Sequence, residues 1–306
     1  MRLVFAGTPD AAVPTLHRLA SEHDVAAVIT RPDAPLGRKR VLTPSPVARA
    51  AEELGLPVLK AARLDEEVTL RIAALRVDLG VIVAYGGLVR EPLLSTPTAG
   101  WINLHFSLLP AWRGAAPVQR ALIAGDAQLG ASVFQLVPEL DAGDVFAARV
   151  VDVPAGATAD VALRTLAADG AGLVSEVVSG IADGSAVATP QQGEPTSAAK
   201  LTLEDGILDW SESAETLFAR FRGVTPEPGA HTTIDGQRLK ILEAIPATDA
   251  EALAPGVITG TKTAVLIGSA TTPLAVTRVQ PAGKGAMSAA DWWRGQRNEE
   301  GLRAGS

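Results

Sequence analysis

Apolar and polar positions along the chain fall into two regimes. Up to about residue 184, "RLVFAG", "VAAVIT" and "DLGVIVAYGG" are almost unbroken apolar runs of strand length, the pattern of strands buried on both faces of a sheet. Between them, "TPDAAVPTLHRLASEH", "PVARAAEELGL" and "DEEVTLRIAALR" read as helices. Thr8 and Pro9 are expected at the cap and first position of the first helix, with Pro14 breaking or restarting it. "RPDAPLGRKRVLTPSP", with its four prolines, reads as an exposed loop. A further strand is expected at "GWINLHFS" and a helix at "GAAPVQRALIAGD". Two strands around an acidic turn follow in "GASVFQLVPELDAGDVFAARVVDV", then a long helix at "TADVALRTLAADGAGLVSEVVSGIADG". Alternation of this size predicts an α/β domain over residues 1–184 with a doubly wound, mostly parallel sheet.

The second regime begins after a polar, aperiodic stretch, "SAVATPQQGEPTSAAK", which reads as part of a linker over residues 185–203. From 204 to 306 the chain shows a short helix at "SAETLFARFRG" and then short alternating strands. Asp235-Gly236 is a hairpin signal. Short strands at regular spacing predict a small β-barrel or sandwich. No internal repeat or low-complexity tract interrupts either half.

Composition narrows the class. Of 306 residues, 47% are hydrophobic and 20% charged, which suits a folded soluble protein. The opening "MRLVFAGTPD" has the charge and apolar run of a signal peptide, but the run is too short and reads as a first buried strand. With no cysteine, thiolate chemistry and disulfides are excluded, in keeping with a cytoplasmic setting. The four histidines, His17, His23, His105 and His231, have no metal-ligand spacing, so no metal is expected. A formal charge of −7 argues against general nucleic-acid binding. Two local exceptions are Arg38-Lys39-Arg40 and the stretch 262–297, where Lys262, Arg278, Lys284, Arg294 and Arg297 face only Asp291. Charge runs of this kind are most often solvated surface.

Candidate chemistry centres on "INLHFSLLPAWRGAAP". Positions two apart in a strand share a face, so Asn103 and His105 should project together at a strand's carboxyl end, where α/β sheets place ligands. An imidazole moves protons near neutral pH, and an amide donates to a developing oxyanion. "PELDAGD" offers Asp141 and Asp144 as the acid that orients the ring. Ser107 lacks a second histidine to activate it, which favours direct transfer between two substrates over a covalent intermediate. The alternative is a hydrogen-bonded core pair with no chemistry. Gly7 lacks a GxGxxG context and no P-loop is present, so a dinucleotide site is not expected.

"INLHFSLLPAWRGAAPVQ" and "LDAGD" resemble the folate-dependent formyltransferase superfamily, marked by Asn-x-His, SLLP and a downstream Asp. "FAGTPD", the 31–46 loop, "KLTLEDGILDW" and "QPAGKGAMSAADWW" resemble its tRNA-formylating branch, and the matches run from residue 3 to about 297. The resemblance implies a Rossmann-like domain binding 10-formyltetrahydrofolate and a C-terminal OB-like barrel helping to hold initiator methionyl-tRNA. It assigns catalysis to Asn103, His105 and Asp141, and folate binding to Ser107, Leu108, Leu109 and Pro110. It assigns tRNA contact to Arg38, with Lys39 and Arg40 on phosphate, and places the turn 84–89 against the pterin. Asp144 matches no catalytic position. Phe106 stands where relatives often carry Gly or Pro, and should face away from His105 if the strand persists. The superfamily also contains sugar-amine formyltransferases and formyl-folate hydrolases, and a non-catalytic tRNA-binding module is the alternative from outside it. The absence of an apolar helix stripe left over for a partner points to a monomer.

Overall fold

The computed structural model describes residues 1–37, 40–296 and 301–305. In chain order the first half contains β1 (Arg2–Gly7), α1 (Val13–Glu22), β2 (Asp24–Thr30), β3 (Ala34–Leu36), β4 (Val41–Thr43), α2 (Pro46–Glu53), β5 (Val58–Lys60) and α3 (Glu66–Leu75). It continues through β6 (Leu79–Val83), β7 (Trp101–His105), β8 (Arg113–Gly114), α4 (Pro117–Ala124), β9 (Leu129–Gln135), β10 (Val145–Val151) and α5 (Ala159–Asp183). After β11 (Ser197–Ala198) come α6 (Ala214–Val224), β12 (His231–Ile234), β13 (Gln237–Pro246), β14 (Ile258–Gly260), β15 (Val265–Ile267), β16 (Leu274–Pro281), β17 (Met287–Ser288) and α7 (Ala289–Arg294). These elements group into two units. One comprises Met1–Pro117, Gln128–Val153 and Leu163–Ala198; the other comprises Val118–Ala127, Pro154–Ala162 and Ala199–Ser306.

The first unit is built on a seven-stranded sheet in the order β10-β9-β7-β6-β1-β2-β5. Pairing is parallel from β5 to β7 and antiparallel across β7-β9-β10. Leu3, Val4, Phe5 and Ala6 of β1 are wholly buried, as a central strand covered on both faces must be. The chain runs outward from β1 to β2 and β5, then returns to β6 on the other side. That reversal is the switch point at which such sheets open a crevice at their carboxyl edge. The mostly parallel α/β architecture expected for this half is therefore present.

Local details differ from expectation in instructive ways. Thr8 does not cap α1. Its Oγ1 donates to Tyr85 O at 3.1 Å, a short 3₁₀ turn occupies 10–12, and α1 starts at Val13 with Pro14 in its first turn. The 31–46 segment is more than an exposed loop, since β3 and β4 pair as a hairpin. A proline is tolerated in such an edge strand because one side of the ladder needs no donor. Leu36, Val41 and Leu42 of this hairpin are exposed.

In the second unit, β12-β13-β16-β15-β14 form an antiparallel sheet that curls as a half-barrel, with β17 on β16. Its core includes Leu217, Phe221, Leu239, Ile241, Val265, Ile267, Leu274 and Val276. Ser213 caps α6 through Thr216 N, and Asp235-Gly236 forms the predicted turn between β12 and β13.

One close approach holds β7 in place. Gly80 of β6 pairs with Trp101 of β7, whose fully buried indole donates to Leu93 O at 2.8 Å. A Cβ on Gly80 would stand 2.2 Å from the indole carbons. Gly80→Ala should cost about 1–3 kcal/mol, the usual penalty for overpacking, read as a lower urea midpoint. An unchanged midpoint would show that the indole can move aside.

Candidate active site

β7 is clamped between β6 and β9, with Asn103 opposite Ile82 and Phe134, and His105 opposite Ser132. Both strand neighbours constrain its pleat, so the side chains at 103 and 105 emerge together. Gly170 of α5 completes the packing, since a Cβ there would meet Leu104 at 2.8 Å. The chain then leaves the sheet and folds back, bringing the backbone of 112–114 against His105 and Asp141.

His105 is buried, and its Nε2 lies 2.8 Å from Trp112 O. A carbonyl oxygen only accepts, so Nε2 carries the proton and the neutral ring keeps its lone pair on Nδ1. Nδ1 stands 3.7 Å from Asp141 Oδ2, which accepts the Gly114 N–H at 2.8 Å. Asp141 is itself buried, with a left-handed backbone (φ 49°) that aspartate tolerates better than most residues. Burial pushes the His105 pKa below its ordinary value. The Asp141 charge and the Trp112 carbonyl oppose that shift without overcoming it. Near pH 7 the resting ring is therefore neutral, because desolvation outweighs one carboxylate beyond hydrogen-bond distance.

Asn103 Oδ1 is enclosed without a hydrogen-bond partner among the described residues. Buried polar atoms are normally satisfied, and this oxygen is an exception to that rule. Asn103 lies in the wall of a cavity of 490 Å³ together with His105 and Asp141. The turn 84–89 and the segment 136–141 supply much of the remaining wall, and Leu88 and Leu140 in it are solvent-exposed. A mostly apolar cleft with few convergent polar groups suits a part-polar small molecule. Phe106 also lines the cavity. The strand ends at His105, so alternation no longer governs the next residue.

Other sequence-derived candidates lie elsewhere. Ser107, Leu108, Leu109 and Pro110 are not in the cavity wall. They form a braced corner in which Ser107 Oγ donates to Ala111 O at 2.6 Å. Ser132 Oγ donates to Ser107 O at 2.7 Å and accepts from Leu109 N at 3.1 Å. Asp144 is likewise outside the wall. Arg40 is exposed in the β3–β4 turn, its N–H donating to Gly37 O at 3.0 Å; Arg38 and Lys39 lie outside the described residues. In the 262–297 stretch, Arg278 pairs with Glu243 at 3.5 Å and Arg294 with Asp291, while Lys262 and Lys284 are exposed. Counting along the sequence missed Glu243 because it sits on the adjacent strand β13. Arg297 lies outside the described residues. The backbone partners Trp112 O and Gly114 N were not foreseen, since a main-chain group carries no residue-type signal. Among the described residues, no group of three or more His, Asp or Glu is arranged to hold a metal ion, and no helix is long and apolar enough to cross a membrane.

A histidine buried neutral destabilises the fold in acid. Below its ordinary pKa of 6.5 the unfolded chain takes up a proton that the folded chain resists. The contribution is complete above that pH and is lost as pH falls toward the lower folded-state value. The His105 ring should titrate below pH 6.5 by NMR, and His105→Asn should flatten the decline of the urea midpoint between pH 7 and 5. A ring midpoint above 6.5 would contradict the neutral assignment.

A model of the formyl transferase domain matches residues 1–178, and one of the formyl transferase C-terminal domain matches residues 200–297. The methionyl-tRNA formyltransferase of Clavibacter sepedonicus is 60% identical over 296 residues, covering 96% of this chain and 97% of that protein. That of Leifsonia xyli subsp. xyli is 60% identical over 299 residues, covering 98% and 99%. Among solved structures, the N-formyltransferase from Helicobacter canadensis, in complex with folinic acid and dTDP-3-aminofucose, superposes with a TM-score of 0.68. At 15% identity over 91% of this chain and 98% of that one, it is a likeness of fold. With more than half its length under one family model and relatives of this identity over nearly its whole length, the chain belongs to the formyl transferase family.

Proposed function

We propose that the protein transfers a formyl group from 10-formyltetrahydrofolate to the α-amino group of methionine carried on initiator tRNA, as an enzyme of translation initiation in the cytoplasm. The observation that carries this reading is Asn103, His105 and Asp141 in one wall of a 490 Å³ cavity. They occur in a chain 60% identical, over 98% of its length, to a methionyl-tRNA formyltransferase. A folate derivative as formyl donor is in keeping with the family and with the folinic acid bound by the Helicobacter canadensis protein. The Asn103 amide in a largely apolar wall fits such a ligand. Residues 1–184 would carry catalysis and 204–306 would help to hold tRNA, with 185–203 between them. Ser107, Leu108, Leu109 and Pro110 would support the folate side, and Arg38, Lys39 and Arg40 the acceptor end of the tRNA.

The donor supplies an aldehyde-level carbon on nitrogen, and the chain's own groups do the rest. The neutral methionyl amine forms a bond to the formyl carbon. Asn103 donates to the oxygen that becomes negative. His105 accepts the amine proton at Nδ1, the nitrogen that its bond to Trp112 O leaves basic. Asp141 at 3.7 Å stabilises the imidazolium so formed. The same proton then passes from His105 to the departing folate nitrogen as its bond to carbon breaks, so proton and electron counts balance and the ring returns to neutral. In this reading His105 gains its charge during the reaction and does not hold it beforehand.

His105→Ala should lower kcat on the order of a hundredfold or more, measured as blocked methionine α-amine after incubation with formyl-folate and charged initiator tRNA. A sugar-amine acceptor run in parallel distinguishes the related activity. Turnover near the parent's value in that variant would remove His105 from the chemistry. The triple change Arg38→Ala, Lys39→Ala and Arg40→Ala should raise KM for tRNA and flatten its salt dependence, with folate affinity unchanged in a direct binding titration. An equal loss of folate affinity would give these residues a structural role.

A further inference from the structure

The backbone groups that grip His105 and Asp141 are themselves held by residues 191–198, inside the aperiodic stretch that follows α5. Thr196 Oγ1 accepts from Trp112 N at 2.8 Å, and Thr196 O accepts from Arg113 N at 2.8 Å. Trp112 has φ 61°, a left-handed conformation that a bulky residue keeps only where its surroundings impose it. This residue presents the carbonyl that orients the His105 ring. Next along, Ser197–Ala198 pair with Arg113–Gly114, and Ala198 O accepts from Ala115 N at 2.9 Å. Gly114, whose N–H binds the Asp141 carboxylate, admits no side chain: a Cβ there would meet Ala198 O at 2.7 Å.

At the other end of the stretch, Gln191 Nε2 donates to Asp141 O at 2.8 Å and to Gly143 O at 2.9 Å. Its Oε1 accepts from Arg113 Nη2 at 2.6 Å and from Arg113 Nε at 3.1 Å. All the polar capacity of this amide is thus spent on the acidic turn and on the residue between Trp112 and Gly114. Gly143 leaves the turn no slack, since a Cβ there would lie 1.8 Å from Gln135 O. Neither Gln191 nor Thr196 lines the cavity, so neither reaches the groups in it directly.

We infer that Gln191 and Thr196 are positioning residues. Thr196 sets the His105 ring through Trp112. Gln191 sets the Asp141 carboxylate through its own main chain and, by way of Arg113, through Gly114. The inference rests on the catalytic reading of His105 and Asp141 above. The Nδ1–Oδ2 separation of 3.7 Å is sensitive to small displacements of either partner, and misplacement by an ångström in an active site costs on the order of a hundredfold in rate.

The test uses the full chain with Thr196→Val, which keeps the branched shape and removes the acceptor, Thr196→Ser, which restores it, and Gln191→Leu. In Thr196→Val and Gln191→Leu, kcat per folded molecule should fall on the order of ten- to a hundredfold, with KM for both substrates little changed. Thr196→Ser should recover most of the rate. In Thr196→Val the His105 ring should also titrate at a lower pH than in the parent, because the Trp112 carbonyl that favours its protonated form is loosened. Parent-like kcat in both variants overturns the inference, as does a loss matched by loss of folded protein while the His105 titration stays put. If one variant does not fold, the other decides; if neither folds, the residues are structural and the inference fails. A fully active His105→Ala enzyme would instead sink the catalytic reading beneath it. An inactive His105→Ala beside fully active Thr196→Val and Gln191→Leu sinks the positioning role alone.

Discussion

A titratable ring buried at the end of a strand loses most of its contact with solvent, so nearby polar and charged groups of the protein decide its protonation. For His105 these are a hydrogen bond from Nε2 to Trp112 O at 2.8 Å and the charge of Asp141, 3.7 Å from Nδ1 and beyond hydrogen-bond distance. The nearer partner fixes which nitrogen carries the proton. The farther one tempers the cost of burial without cancelling it. Much of the surrounding structure follows from this requirement: the return of the 106–114 loop, the left-handed turn at Asp141 and the glycines that let backbones approach.

The seven-stranded sheet provides the frame on which that constraint can be met. Reversal of strand order beside β1 opens the carboxyl edge of β6 and β7, and the cavity is lined by the turn after β6 and the end of β7. The strand β7 cannot shift, because its Trp101 fills the space above Gly80 and its Leu104 rests on Gly170. Rigid strands hold the reactive side chains, and the loops that follow contribute the ligand-facing wall, a division common in α/β proteins.

The charged surface carries a different lesson. A stretch that looks strongly basic along the chain is partly neutralised across the sheet, since Arg278 meets Glu243. Exposed pairs of this kind add little stability, but they reduce the positive field available to a polyanion. Lys262 and Lys284 of that stretch stay exposed, as does Arg40 in the β3–β4 turn. Apolar Leu36, Val41 and Leu42 accompany the exposed Arg40 there.

Legible in the residues alone were the strand and helix succession outside the 31–46 segment, the two regimes on either side of the aperiodic stretch, and the common face of Asn103 and His105. All of these depend on periodicity and on residue type, which are local properties of the chain. The family resemblance read from SLLP and the downstream Asp is local in the same sense. Tertiary structure alone decided that His105 rests neutral, that Asn103 keeps an unpartnered oxygen, that Phe106 joins the cavity wall and that Glu243 answers Arg278. It also turned Gln191 and Thr196 from members of a linker into the residues that hold the 112–114 backbone and the acidic turn. These outcomes arise from burial and from hydrogen bonds between groups dozens of residues apart, many of them main-chain atoms. No one-dimensional pattern records such a bond, because every residue offers the same N–H and C=O and only the fold decides which ones meet.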